Sequence, residues 1–427
     1  MSFINLEAGA RTYIASLKVD PNFSGALAAG TRADRKTAAY GAMVDAEVAV
    51  KTTLLPKLDA LKAEGLVRSY DFATGTGALI LNVDDTRASA AFQALQGLDE
   101  LGRIVRNEEV KLDAVVEAKA PAVAAGEKTV EWNVGKVGVE QAWASGVTGE
   151  GVVVGIVDTG ANTAHEALKG HYRGTQADGT MDHNYNFFDA TKGRKDAYDD
   201  NKHGTHVSGT IAGAATEGHA ATGVAPGAKL IGSKILTASG SGTLAGVMKG
   251  LEWMLAPTDS EGKNADPSKA PDIISNSWGT TNGKDESFRK LLQAFLAAGI
   301  EPVFAAGNSG PRGGSLGAPG SSPEVISVAA TDKDDKVASF SSRGPSPIKD
   351  AKGSDRKPDI SAPGHQIVST VPGGGYASLS GTSMATPAVS GVIALLLSKH
   401  KDLTHDEIVQ AINTTGKDID TPCSPAW

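Results

Sequence analysis

Only one cysteine, Cys423, occurs in 427 residues. A disulfide framework within the chain is excluded. With no catalytic signature around it, this thiol reads as a packing or surface residue. Basic blocks and stripes are missing too, and the formal net charge is -8. A polyanion would find no basic footprint, so nucleic acid is not an expected partner. The first 19 residues carry Glu7 and Arg11 but no apolar run long enough for a signal peptide. Either an export signal has been removed or the protein starts in the cytoplasm. The longest apolar run follows Ser383. It is too short to span a bilayer and is expected to be a buried core helix, so no membrane partner is expected.

What is present suits a large globular enzyme. Hydrophobic residues make up 40% and charged residues 21%, and the 51 glycines suit tight turns and close backbone approaches. The length suggests two or three domains. Residues 12–19 alternate like a half-buried strand. Residues 33–64 carry apolar residues at helical spacing, and Pro56 predicts a kink or two abutting helices. Two strand-like runs, 66–73 and 77–83, flank the turn Thr74-Gly75-Thr76. A short helix over 87–95 and a last strand over 102–112 complete strand-helix-strand-strand-helix-strand. That order predicts a small ferredoxin-like α/β module over residues 1–112. Residues 113–128 are small, with Pro and Gly and no clear periodicity. They read as an exposed linker, either a processing site or a passive spacer.

From residue 129 to 427 apolar strands alternate with helices. Val152 to Val157 is a continuous apolar run, as are 229–236, 272–277, 301–306 and 325–330. The pattern predicts an α/β domain, a parallel sheet in three layers with helices on both faces. Ligands of such sheets sit beyond the carboxyl ends of the strands. Asp158 ends the first strand, where a carboxylate can orient a histidine or simply cap a turn. His203 opens His-Gly-Thr-His and enters a helix, and imidazole is the usual general base near neutral pH. His206 is three residues on. No glutamate between the two histidines and no obvious third ligand supports zinc, so His206 reads as structural. Asn308 closes Phe304-Ala305-Ala306-Gly307-Asn308, where its amide could donate to an oxyanion or support an Asx turn. Ser383 stands between Gly381 and Pro387 at the start of the long apolar helix. There the free N–H groups and the helix dipole favour negative charge, although a plain serine N-cap has the same look.

Each signal is weak alone. In the order Asp, His, Asn, Ser they are strong, because Asp before His before Ser is one known chain order of a hydrolase triad. The segments Val157-Asp158-Thr159-Gly160, His203-Gly204-Thr205-His206-Val207, Ala306-Gly307-Asn308 and Gly381-Thr382-Ser383-Met384-Ala385 resemble the signature boxes of the subtilisin-like serine proteases, the subtilases. Glu131-Trp132-Asn133, Glu252 to Pro257 and Asn276 to Gly279 are similar to the bacillopeptidase F type of that family. The resemblance runs from about Val130 to the end, and more loosely covers the N-terminal module as a pro-domain.

The resemblance implies a secreted, monomeric endopeptidase acting on proteins or peptides, with no cofactor for its chemistry. Ser383 would be the nucleophile, His203 the base and Asp158 its orienter, with Asn308 and the Ser383 N–H holding the oxyanion. Ser239, Gly240, Ser241 and Gly242 would form one exposed strand, and Ser275 to Gly279, with Ser277, Trp278 and Gly279, a second. Gly317 would floor a pocket for large apolar side chains before the cut. The pro-domain would assist folding, lay its tail in the cleft and inhibit, with self-cleavage within about residues 113–130. Structural calcium finds weak support. Ala167 stands where the family commonly has a ligand Asp, the loop 216–222 is poor in carboxamides, and Asp332 to Asp335 also reads as a solvated turn. Two rival readings are a catalytically silent binding module and an esterase. The latter is disfavoured because the Gly-x-Ser-x-Gly elbow is absent around Ser383.

Overall fold

The computed structural model describes residues 10–112, 115–119 and 130–419. The N-terminal part begins with strand β1 (Ala10–Leu17). Helix α1 (Arg32–Ala63) follows, capped by the Thr31 side chain, which accepts from Asp34 N. Next come β2 (Val67–Ala73), β3 (Ala78–Asp84), α2 (Ala88–Gln96) and β4 (Leu101–Arg106). The strands form an antiparallel sheet in the order β2-β3-β1-β4, the ferredoxin-like arrangement predicted above. Period-two alternation sorts its two faces. Tyr13, Ala15, Leu17, Leu79 and Leu81 pack under the helices with Leu54, Leu58 and Leu95. Ile14, Ala78 and Ile80 face the rest of the chain.

Two expectations are corrected here. Of the two alternatives at Pro56, two abutting helices are ruled out, since helix α1 runs 32 residues through the proline as one helix. Pro56 and Thr52, whose carbonyl loses its helical donor, are both exposed, so water can serve that carbonyl, while Leu54 and Leu58 stay buried on the inner face. The last strand also stops early. β4 ends at Arg106, and β5 (Glu109–Lys111) leaves the sheet to pair elsewhere. Between them Glu108 O accepts from Leu244 N, and Asn107 Oδ1 accepts from Ala245 N at 2.9 Å. The step is thus fixed by capping a helix of the second part. A further strand, β6 (Val116–Lys119), follows before that part begins.

The second part is built on a seven-stranded parallel sheet. Its strands are β7 (Val153–Asp158), β8 (Phe187–Asp189), β9 (Lys229–Lys234), β11 (Ile273–Asn276), β12 (Glu301–Ala305), β13 (Ile326–Thr331) and β14 (Ile360–Pro363), in the order β14-β13-β12-β11-β7-β9-β8. Short β10 (Ser241–Thr243) leads into helix α4 (Leu244–Leu255). Helix α3 (His203–Ala212) lies between β8 and β9 in sequence, and α5 (Arg289–Ala297) between β11 and β12. The hairpin β15 (Ile367–Val371) and β16 (Gly375–Ser380) precedes α6 (Thr382–Lys399) and α7 (His405–Thr415). Val207, Ile211, Ala388, Ile393, Leu397 and Ile408 cover one face. Met248, Leu251, Leu255, Leu291 and Phe295 cover the other and also receive the free face of the N-terminal sheet. The result is the predicted three-layer α/β architecture. α6 is long and apolar enough to cross a membrane by length and composition, contrary to the sequence reading, yet 78% of it is buried inside the fold.

Candidate active site

The site forms where the carboxyl ends of β7 and β11 meet two helix N-termini. Asp158, the last residue of β7, is fully buried, and its Oδ1 accepts from Thr159 N at 2.7 Å. His203 opens α3, and its Nδ1 lies 2.8 and 3.0 Å from the two carboxylate oxygens. A carboxylate can only accept, so Nδ1 carries a proton, and in the neutral ring Nε2 then presents a lone pair. This is the tautomer a general base needs.

The backbone around His203 is tied down by Asp199, a residue the sequence reading did not single out. Its Oδ1 accepts from Asn201 N (2.9 Å), Lys202 N (3.1 Å) and Thr159 Oγ1 (3.0 Å). Its Oδ2 accepts from Thr205 N (2.9 Å) and Thr205 Oγ1 (2.6 Å). Lys234, also missed, is buried at the end of β9 and donates to Thr159 O, Asp200 Oδ1 and Leu236 O. The available signal was Asp199-Asp200 just before His-Gly-Thr-His, and a lysine ending an apolar strand. Gly204 is required by close approach, since a Cβ there would lie 2.0 Å from Gly160 O.

Ser383 is the second residue of α6. Its Oγ donates to Ser277 O at 3.0 Å, and Ser277 Oγ donates back to Ser383 O at 2.8 Å. Ser277 directly follows β11, and Asn276 of β11 pairs with Val157 of β7. Ser277 and Asp158 therefore leave adjacent strands side by side, one holding Ser383 and the other His203. Helices α3 and α6 also pack against each other. Asn308 follows β12, the next strand. Its Oδ1 accepts from Thr382 N and Thr382 Oγ1, both at 2.9 Å. With the oxygen committed, Nδ2 is turned toward Gly381, where an added Cβ would lie 3.2 Å from it. The backbone at Gly381 is extended (φ 167°), so the glycine serves this approach and not a left-handed turn.

His206 is structural, as read from the sequence. It is buried, and its Nε2 lies 3.0 Å from Ile367 O and 3.1 Å from Ala377 O. Burial, reinforced by nearby His203, pushes its pKa down to about 3 and keeps it neutral.

The candidate substrate strands already carry a peptide, the chain's own. β5 pairs antiparallel with β10, matching Lys111 with Ser241 and Val110 with Gly242. Leu112 N donates to Gly240 O at 2.8 Å, and Lys111 bridges Gly279. Ser239 stays exposed, its Oγ 2.9 Å from Ser241 Oγ. The second expected strand differs from the prediction. Ser275 and Asn276 belong to central β11 and are buried. Trp278 turns its ring into the core, edge-on to Phe288 and Phe304, leaving Gly279 as the residue that pairs. At Gly317 a Cβ would lie 2.3 Å from Thr280 O, so backbone packing already demands glycine there.

The calcium candidates have other roles. Ala167 is buried in a short helix, where its N–H donates to His165 Nδ1. Thr216 and His219 bridge each other across the loop. Asp332 caps its own turn, and Asp335 pairs with Lys136 and Lys417. Among the described residues no group of three or more His, Cys, Asp or Glu side chains gathers to hold a metal. Cys423 and most of residues 113–128 lie outside the described residues.

The model of the subtilase family matches residues 149–423. The chain belongs to the subtilase family. It is 43% identical to bacillopeptidase F of Bacillus subtilis over 297 residues, which is 68% of this chain but 20% of that protein. It is 35% identical to serine protease AprX of Bacillus subtilis over 361 residues, 77% of this chain and 72% of that one. Subtilisin DY of Bacillus licheniformis is 33% identical over 294 residues, 68% of this chain and 93% of that protein. This subtilase thus spans only a fifth of bacillopeptidase F.

Proposed function

We propose that this subtilase is a serine endopeptidase made as a zymogen that processes itself. The observation that carries the reading is the pairing of neighbouring strand ends, Asp158 with His203 and Ser277 with Ser383. A rotation about the Cα–Cβ bond of Ser383 releases its hydroxyl from Ser277 O toward the imidazole. His203 takes that proton as Ser383 Oγ attacks a peptide carbonyl, then delivers it to the leaving amine. A water, deprotonated by the same imidazole, then hydrolyses the acyl-enzyme. Asp158 stabilises the imidazolium throughout. The Asn308 amide and the Ser383 backbone N–H donate to the oxyanion, which also feels the positive end of α6.

The N-terminal part, residues 1–112, is in this reading the inhibitory pro-domain, residues 113–128 the linker and 129–427 the peptidase domain. Leu112 N donates to Gly240 O on one side of the candidate site, and Val115 lies against Gly381 beside Ser383 on the other. These two contacts support a cut at one of the bonds joining Leu112 to Val115. The preference for large apolar residues before the cut rests on the family resemblance, since Gly317 is explained by packing. Action outside the cell, as a monomer, rests on the same resemblance. Ser383→Ala should fold, lose about 10⁶-fold in peptide hydrolysis, the loss known for subtilisin, and remain uncut. Turnover assays and mass spectrometry of the incubated chain test this. Near-wild-type turnover, or identical processing in the variant, would overturn it.

A further inference from the structure

We propose that Lys202 selects an acidic side chain among the residues that follow the cut bond in a substrate, which would lie along the edge of β16 that β6 occupies here. The inference rests on the peptidase reading above. β16 has one edge taken by β15. Its other edge pairs antiparallel with β6, matching Ser380 with Val116, Leu379 with Glu117, Ser378 with Ala118 and Ala377 with Lys119. β16 runs directly into Gly381 and Ser383, so this ladder begins beside the nucleophile and extends away from it. Main-chain pairing of this kind holds an extended peptide whatever its sequence, and selectivity comes from the side chains that meet a partner.

One such partner is in place. The Glu117 carboxylate forms an ion pair with the Lys202 ammonium. Lys202 immediately precedes His203, on the rim of the cleft. Its backbone has φ 138°, a conformation glycine adopts at lower cost. The local backbone therefore does not ask for lysine, and its side chain meets an acid carried by the peptide strand. With the cut between Leu112 and Val115, Glu117 is the third to fifth residue after it. The substrate class is an extended peptide, acidic at one of those positions.

The test uses the full chain after it has processed itself, with peptides cut at one bond and carrying Glu or Lys at the third, fourth or fifth position beyond it. The pair is partly exposed, 35% and 49% at the two side chains. Wild type should therefore prefer Glu at one position by about two- to fivefold in kcat/KM, mostly through KM. Lys202→Glu should invert that order. Peptides ending two residues after the cut should have a higher KM in both enzymes. A Lys202→Glu variant that slows both peptides equally would make Lys202 merely structural and overturn the selectivity. An unchanged KM for the short peptides would overturn the strand-edge site. Failure to cut any peptide would instead sink the peptidase reading.

Discussion

Asp199 shows what a residue outside the reacting set can contribute. It accepts five hydrogen bonds, four of them from the stretch 201–205 around His203. Asp199→Asn keeps the shape but replaces one accepting oxygen by an N–H₂ group, which cannot serve Thr205. The imidazole should shift relative to Ser383, lowering kcat by roughly 10- to 100-fold with KM little changed. Stability should fall by about 1.5–3 kcal/mol, the worth of bonds to a charged group. Steady-state kinetics and urea unfolding check both, and an unchanged kcat would show that His203 holds its place without Asp199. Asp158, His203, Asn308 and Ser383 were legible because each stands in a short string with glycine beside it or nearby. Asp199 and Lys234 were not, because their work is to satisfy backbone groups that only the folded turn brings together. Trp278 was legible as a motif residue, but its string did not reveal that the ring faces Phe288 and Phe304.

At the scale of elements, periodicity revealed the strands and helices and missed where they change partners. The N-terminal strand order followed from alternation and turn chemistry. The departure of β5 from its sheet did not, because its partner β10 and the helix α4 that Asn107 and Glu108 cap are remote in sequence. That junction between sheet and α4 also buries charge. Glu252 on α4 is raised to about 7, first by burial and then by Asp71 and Glu47, with Lys249 opposing. Lys249 Nζ reaches Asp71 at 3.0 Å, Phe72 O at 2.9 Å and Glu252 at 3.1 Å. From α1, Tyr40 adds a phenol raised by burial and by Glu252, and Glu47 is paired with Lys51 and bonded to Gly75 N and Gly77 N. A carboxyl whose folded value exceeds its ordinary 4.5 favours the fold when protonated. Its contribution is full below pH 4.5 and is lost as pH rises through about 7. For the uncut Ser383→Ala chain, the urea midpoint should therefore decline across that window, by on the order of 1–3 kcal/mol in stability. Glu252→Gln should flatten the decline. The same slope in both chains would assign the pH dependence to other groups.

Over the whole molecule, the N-terminal part holds the parallel-sheet part at both ends of its strands, besides packing on α4 and α5. One grip is at the carboxyl ends, where β5 pairs with β10 and β6 with β16. The other lies at the amino ends and was not visible in the sequence, where the family resemblance pointed only to a tail laid in the cleft. There Arg32 of α1 donates to Lys401 O at 3.0 Å and Leu403 O at 2.8 Å. Lys36, buried, donates to Ala270 O at 2.9 Å and to Asp272 at 2.8 Å. Asp272 also accepts from Val153 N, fixing the start of β7. Cutting between Leu112 and Val115 severs the chain at the first grip and leaves the second intact. The released part should then stay bound as an inhibitor, and activity should lag behind cleavage. Lys36→Ala removes a buried cation from that second grip while leaving the cleft contacts untouched. It should weaken inhibition by the cut pro-domain about 10- to 100-fold, mainly through faster dissociation. The lag between the appearance of the cut, followed by mass spectrometry, and full peptide hydrolysis should shorten accordingly. An unchanged lag would mean that the cleft contacts and the sheet packed on α4 and α5 hold the inhibitor without Lys36.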